Sequence, residues 1–388
     1  MKKKIVILGS TGSIGKTTTK LLEKDKKNFN IILLTADKNY VELIKQAKKL
    51  KPKNIIINDA SKIKYLKKKL KRQKIKIFLN IKNLKKIVKK KVDYTMCAIS
   101  GLVGLAPTLE AISFSKNIAI ANKESIVCAW NLIERSLKKN RCKFIPIDSE
   151  HFSIKELLND SQNYQIEEII ITASGGPFLN LPLNKFKKIN PLKAIKHPRW
   201  KMGKKISIDS ATLMNKVFEL MEAHKIFKID LKKFKIIIHP NSYVHAIVKF
   251  KNGLSKILVH DTDMKIPIFN SLYENKNKKL ITKKIDFEIL NNLNFAKVDI
   301  KRFPSIKLIN KIPNYNSLYE TVIVSANDEL VRLFLKKSIS FLKITECLNK
   351  ITNLNQFIKY KKIYPKNLSQ IIDLDETVRL KTRTLSII

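Results

Sequence analysis

Short apolar runs separated by amphipathic segments dominate the chain up to Ile147. The runs Lys4–Gly9, Phe29–Thr35, Asn54–Asn58, Ile75–Leu79, Val92–Ile99, Ile118–Ala121 and Lys143–Ile147 are of strand length and rich in Ile, Val and Leu. Near-continuous apolar runs are what strands buried on both faces require. Between them, a segment ending near Lys27, the amphipathic Tyr40–Lys51 and the lysine-rich Ser61–Arg72 read as helices. This alternation predicts an α/β fold with a doubly wound parallel sheet.

After His151 the pattern changes. Glu168–Thr172 reads as a strand, and from Ala211 onward Leu213, Val217, Leu220 and Met221 form one apolar helical stripe. Phe234–Phe250 and Leu254–His260 read as antiparallel strands that cover a central domain or pair two subunits. The chain is polar and lysine-rich over 275–284 and irregular over 291–303, which suggests a linker. Ser317–Leu335, Ser340–Leu348 and Leu368–Thr384 read as helices of a small C-terminal bundle. The expected division is 1–147, 148–274, a linker at 275–303, and 304–388.

Composition changes this picture little. The 388 residues, 44% of them hydrophobic, suffice for several domains and a sizeable core. No uncharged apolar run reaches membrane-spanning length. Lysines follow Met1, but the next apolar stretch is too short for a signal peptide, so a cytoplasmic protein is expected. Cys97, Cys128, Cys142 and Cys347 show no zinc spacing and are expected to be reduced and mostly buried. Lys+Arg number 78 against 32 Asp+Glu, a net +46, and that charge alone suggests a nucleic-acid-binding protein. The excess is spread along the chain and accompanied by abundant Asn and Ile. All three residues have A/T-rich codons, so codon drift accounts for them together. Basic residues interleaved with aromatic stacking platforms are not apparent. No specific nucleic acid and no membrane is expected as a partner.

Chemistry concentrates in a few places. Gly9-Ser-Thr-Gly-Ser-Ile-Gly15 turns the first strand into a helix, so backbone N–H groups and the helix dipole favour an anion there. The spacing satisfies neither a P-loop, whose first glycine would fall on Ser10, nor the usual dinucleotide fingerprint. The second strand ends in Asp37-Lys38-Asn39, where a dinucleotide fold meets the adenosine ribose. Lys38 and Asn39 suit a 2′-phosphate; Asp37 suits a free hydroxyl. Asp148 and Glu150 follow an apolar run and, if that segment is extended, leave one face together. Like charges so placed call for a cation between them, which makes a hard-metal site of oxygen ligands the first hypothesis. Glu219, on the predicted helix, is a candidate to complete it. Ser174 in Ala173-Ser-Gly-Gly-Pro177 suggests a second anion pocket. The aperiodic stretch 193–205 around Trp200 is a candidate lid.

Taken in order, Gly9–Gly15, Ala121-Asn-Lys-Glu-Ser125, Asp148-Ser-Glu-His151, Ser174-Gly-Gly-Pro177, His197-Pro-Arg-Trp200 with Met202-Gly203, and Asp209–Lys216 with Glu219 closely resemble the 1-deoxy-D-xylulose 5-phosphate reductoisomerase family of the non-mevalonate isoprenoid pathway. The resemblance spans nearly the whole chain. It implies a Rossmann-like NADPH domain, a central α+β catalytic and dimerisation domain, a C-terminal helical bundle and a homodimer. It places NADPH on Thr11, Gly12, Ser13, Ile14, Lys38, Asn39, Asn122, Glu124 and Gly203. Mn²⁺ or Mg²⁺, with Co²⁺ as a further option, is placed on Asp148, Glu150 and Glu219. Lys123, Ser149, Glu150, Ser174, His197, Ser210, Asn215, Lys216 and Glu219 are implied to contact substrate. Lys123, Glu150 and His197 are implied near the reacting carbons, with Lys123 and Glu150 the candidates for proton transfer. The implied reaction rearranges 1-deoxy-D-xylulose 5-phosphate to a branched aldehyde and reduces it to 2-C-methyl-D-erythritol 4-phosphate. A different NADP-dependent oxidoreductase of a sugar phosphate is the alternative. Asp37 stands where that pattern leads one to expect a small residue.

Overall fold

A computed structural model describes residues 1–82, 84–159, 165–200, 202–273 and 278–387, the last without the side chain of Ile387. Residues 275–277 of the predicted linker and Lys201 of the predicted lid lie outside the described residues. The chain forms two compact units. The first comprises Met1–Ser125, Leu132–Asp148 and Met264–Leu280; the second comprises Ile126–Asn131, Ser149–Asp263 and Ile281–Ile388.

The first unit is built on strands β1 (Lys3–Leu8), β2 (Phe29–Ala36), β3 (Asn54–Ile57), β4 (Lys76–Leu79), β5 (Val92–Cys97), β6 (Ser115–Ile120) and β7 (Lys143–Ile145). All pair in parallel, in the order β4-β3-β2-β1-β5-β6-β7. The order reverses direction at β1, which is the switch point where such sheets bind ligands. Ile5, Ile7, Leu34, Ile55 and Met96 are buried against the crossover helices. The helix Lys265–Leu272 follows much later in the chain, yet Ile268 and Leu272 join this core and Ser271 bonds Tyr94 Oη at 2.8 Å. Polar side chains start the helices: Asn39 accepts from Glu42 N and Asn122 from Ser125 N.

The second unit holds a five-stranded mixed sheet in the order β11-β10-β8-β9-β12. Its strands are β8 (Ile166–Ala173), β9 (Phe234–Ile238), β10 (Val244–Phe250), β11 (Ser255–Val259) and β12 (Ala296–Lys297). The expectation of one long strand over Phe234–Phe250 is corrected. Pro240 and Ser242, the latter at φ 51, break the run, so β9 lies parallel to β8 while β10 runs antiparallel to β8 and β11. The helix expected from Ala211 starts earlier, as Lys204–Ala211, and a second helix runs Met214–Phe227. Leu213 at φ 60 separates them. Leu213, Val217, Leu220 and Met221 are all buried, as their spacing predicts. Helices Tyr319–Leu335, Phe341–Thr352 and Leu368–Ile387 form the C-terminal part. Tyr319–Leu335 is buried along most of its length. All four cysteines are buried and unbridged.

Candidate active site

In the first unit the glycine-rich turn is tightly built. Gly9 has φ +79, and a Cβ there would meet the Ala98 carbonyl oxygen at 2.6 Å. At Gly15 a Cβ would lie 2.3 Å from the Gly9 carbonyl oxygen and 2.6 Å from the Ser10 backbone. Gly9 N donates to Thr35 Oγ1 and Ser10 N to the Thr35 carbonyl, each at 2.8 Å, tying the turn to β2. The helix it opens, Ser13–Lys24, has Gly12 at its cap and no side-chain cap, and Gly12 and Ser13 are exposed. Its first N–H groups are thus left for an anion such as a pyrophosphate. Thr11 and Ile14 flank them, half-buried.

At the end of β2, Asp37, Lys38 and Asn39 are exposed. Asn58 Nδ2 donates to Asp37 Oδ1 at 3.3 Å. Asn122, buried, bonds the carbonyls of Ile99 and Gly101 through Nδ2 while its Oδ1 caps the helix that follows. It therefore shapes the loop after β5 rather than offering a free amide. Glu124 is buried in the first turn of that helix, and Lys123 pairs with Asp148.

In the second unit, the helix Ser149–Leu158 begins directly after Asp148, which corrects the extended reading of this segment. Glu150 lies in its first turn, where the helix dipole favours a carboxylate. Glu150 and Glu219 are 7% and 2% exposed, and such burial is costly unless the charge is matched. Lys216 matches both: its Nζ donates to Glu150 Oε1 and, at 2.5 Å, to Glu219 Oε2. Burial pushes the Lys216 ammonium down, and the two carboxylates outweigh it, holding its pKa above the usual lysine range. Ser149 Oγ donates to Glu150 Oε2 at 2.5 Å, and Asn215 Nδ2 donates to Glu219 Oε1. Asn215 Oδ1 is buried without a hydrogen-bond partner. Behind Glu219, His151 Nε2 lies 2.8 Å from its backbone oxygen, and His151 Nδ1 lies 3.9 Å from Glu222. The pairing of Lys216 with both acids was not legible in the sequence, where the resemblance implied only a contact with the substrate phosphate and hydroxyls.

The turn after β8 brings Ser174 to His197, with Oγ and Nε2 3.0 Å apart. His197 Nδ1 accepts from Arg199 N at 3.2 Å and from Trp200 N at 2.9 Å. A nitrogen that accepts carries no proton, so neutral His197 holds its proton on Nε2 and donates it to Ser174. Burial, and next the Lys216 charge, push this imidazole down to about 4. His197 is therefore neutral from below pH 5 upward. An NMR titration should place its midpoint near 4 with the Nε2–H tautomer above it; a midpoint between 6 and 7 would contradict this environment.

Residues 196–203 carry no helix or strand among those described. Trp200 is half-buried with its ring edge-on to His245, centroids 6.0 Å apart. Met202 is half-buried, and exposed Gly203 caps Lys204–Ala211. Ser210 is half-buried near the end of that helix. Gly176, read in the sequence only as part of the Ala173-Ser-Gly-Gly-Pro177 turn, is where that turn comes closest to this helix: a Cβ there would meet the Ser210 carbonyl oxygen at 2.8 Å.

A unit with a doubly wound sheet and an uncapped glycine-rich helix start, and a second unit with buried acids, a lysine and hydroxyls, define a dinucleotide-binding α/β protein of the oxidoreductase class. The particular family follows from three kinds of match. Models described as 1-deoxy-D-xylulose 5-phosphate reductoisomerase and its C-terminal domains match residues 5–130, 144–227 and 260–381. The chain is 55% identical to the 1-deoxy-D-xylulose 5-phosphate reductoisomerase of Pelagibacter ubique, over 99% of this chain and all of the relative. It is 41% identical to that of the Wolbachia pipientis strain wMel, over 97% and 96%. The structure of the Zymomonas mobilis enzyme in complex with NADPH matches with TM-score 0.88 and 33% identity, over 99% and 98% of the two chains. A DOX-P reductoisomerase in complex with NADPH, fosmidomycin and magnesium matches with TM-score 0.91 and 29% identity, over the same shares. The chain belongs to the 1-deoxy-D-xylulose 5-phosphate reductoisomerase family.

Proposed function

We infer that this chain is an NADPH- and divalent-metal-dependent oxidoreductase that rearranges and reduces 1-deoxy-D-xylulose 5-phosphate to 2-C-methyl-D-erythritol 4-phosphate for isoprenoid precursor synthesis. The observation that carries the site assignment is the convergence of buried Glu150 and Glu219 on one ammonium, with Asp148 two residues before Glu150. Asp148, Glu150 and Glu219 are an all-oxygen donor group suited to a hard cation, Mg²⁺ or Mn²⁺. Such an ion, when bound, supplies Lewis-acid polarisation of two neighbouring substrate oxygens. NADPH supplies the hydride.

The chain's own residues do the remaining work. Ser174, Ser210, Asn215 and Lys216 hold the substrate phosphate and hydroxyls; the unpartnered Asn215 Oδ1 supports its part in this. His197, neutral, donates from Nε2 and keeps the Ser174 hydroxyl oriented. Ser149 orients Glu150, and Lys123 and Glu150 handle protons. Thr11, Gly12, Ser13 and Ile14 receive the dinucleotide phosphates, with Glu124, Gly203 and the backbone of Asn122 as further contacts. The division into a cofactor domain at 1–147, a catalytic and dimerisation domain at 148–274, a linker and a C-terminal bundle at 304–388 is one of function. Homodimer formation is supported by β11, an edge strand with Ile257 exposed, and by exposed Leu254 just before it. Among the described residues no helix is long and apolar enough to cross a membrane, and we place the protein in the cytoplasm. The test is NADPH oxidation that requires both the pentulose phosphate and Mn²⁺; oxidation independent of either overturns the reading.

Two predictions follow from peripheral residues. Lys38 offers a cation for the 2′-phosphate, and Asp37 beside it opposes one. NADPH is expected to bind more tightly than NADH, and Asp37→Gly to tighten NADPH further by roughly 1 kcal/mol. Dissociation constants for both nucleotides in both proteins decide this; tighter NADH binding by the wild type refutes the preference. The stretch 197–203 lies between Ser174 and Ser210 in the chain, and its described residues carry no helix or strand, so we propose that it closes over bound substrate. Trp200→Ala should weaken substrate capture and turnover together, leaving NADPH and metal binding intact. In a Trp130→Phe background, Trp200 fluorescence should change on adding substrate. A flat signal together with wild-type kinetics for Trp200→Ala would mean fixed surface.

A further inference from the structure

Ser174 and Ser210 sit on different elements, and one close approach sets their spacing. Gly176, at φ +67, lies so near the helix Lys204–Ala211 that a Cβ would come 2.8 Å from the Ser210 carbonyl oxygen and 3.0 Å from Ala211 Cα. The turn bearing Ser174 is thus pressed against the last turn of the helix bearing Ser210. A buried polar network grips the same helix. Asp209, 2% exposed, accepts from Asn327 Nδ2 at 2.8 Å and pairs with Lys205 Nζ at 3.0 Å. Lys205 also reaches Asp328 at 2.9 Å, and Arg379 meets Asp328 at 3.2 Å. Asn327 and Asp328 belong to Tyr319–Leu335 and Arg379 to Leu368–Ile387, so C-terminal helices anchor the helix whose end presents Ser210.

None of these side chains takes part in the chemistry proposed above. Buried polar networks of this kind add little net stability over an apolar core, but they accept only a narrow range of geometries. Asp209 is adjacent to Ser210, so a shift of the Asp209–Asn327 bond moves Ser210 directly.

We propose that Asp209 and Asn327 are positioning residues for a phosphate-monoester site, holding the end of Lys204–Ala211 so that Ser210 stays in register with Ser174 across Gly176. The proposal rests on the assignment of Ser174 and Ser210 to the substrate phosphate. Asn327→Leu keeps the branching at Cγ, with somewhat more volume, and removes the donor. It should raise the KM for the sugar phosphate and the dissociation constant for inorganic phosphate in parallel, each about tenfold, while leaving NADPH affinity unchanged. In a Ser210→Ala background the same substitution should have no further effect on either constant, because its route to the phosphate is already gone. Asn327→Ser, a milder change, should move both constants in the same direction by less, and it decides the matter if Asn327→Leu does not fold. A lowered unfolding temperature with unmoved phosphate constants overturns the proposal, as do effects that multiply with Ser210→Ala. A wild type that fails to turn over the sugar phosphate refutes the proposed function, and calorimetric titration of inorganic phosphate into wild type and variants still decides the positioning claim. A wild type that binds no inorganic phosphate overturns the claim as well.

Discussion

Glu150→Gln is expected to cut turnover by about a thousandfold or more while leaving NADPH affinity within about twofold, the rate loss corresponding to some 4 kcal/mol of transition-state stabilisation. The substitution keeps the side-chain volume, its amide oxygen can still accept from Lys216, and its NH2 can donate to the Ser149 hydroxyl oxygen, so the fold should survive. What it removes is one of two buried negative charges that converge on Lys216. With that charge gone, the remaining oxygens no longer outcompete water for a hard cation, and Lewis-acid polarisation is lost. The NADPH turn belongs to the other unit and uses none of these atoms. Steady-state kinetics across a Mn²⁺ titration, with NADPH binding followed by nucleotide fluorescence, checks both halves. Near-normal activity at limiting Mn²⁺ would sink the metal assignment.

The second large effect is expected at Gly15. Replacing it with Ala places a Cβ 2.3 Å from the Gly9 carbonyl oxygen and 2.6 Å from Ser10 backbone atoms. None of these is a flexible side-chain end, so the turn itself must move. The cost is about 1–3 kcal/mol of stability from overpacking. Displacing the N–H groups that start Ser13–Lys24 should weaken NADPH at least about tenfold, since the anion site consists of those groups. Thermal unfolding and a fluorescence titration of NADPH measure the two effects. Wild-type values in both would mean that the turn has room the geometry denies it.

The parallel sheet was legible because buried strands write themselves as unbroken apolar runs; six of the seven runs contain most of a strand, and Ile118–Ala121 contains the second half of β6. The second unit was less so. Phe234–Phe250 reads as one apolar stretch, and only Pro240 marks the break that lets β9 and β10 run in opposite directions. The start of the helix at Lys204 was missed because its residues alternate apolar and polar without a helical stripe; it is held by Asp209 and Lys205 instead. The acids of the metal site were legible as residues but not as geometry. Asp148 and Glu150 were read as sharing a strand face, whereas a helix begins between them at Ser149. The pairing of Asp209 with Asn327 spans 118 residues, and no local pattern announces it.

The most direct test of the central claim is a single reaction of the purified chain with 1-deoxy-D-xylulose 5-phosphate, NADPH and Mn²⁺, followed by NADPH absorbance and with the product identified by NMR. The expected result is one NADPH oxidised per substrate consumed, a branched 2-C-methyl-D-erythritol 4-phosphate product, and loss of the reaction on chelating the metal or on Glu150→Gln. Reduction that leaves the carbon chain unbranched, or that continues undiminished with the metal chelated, would contradict the account.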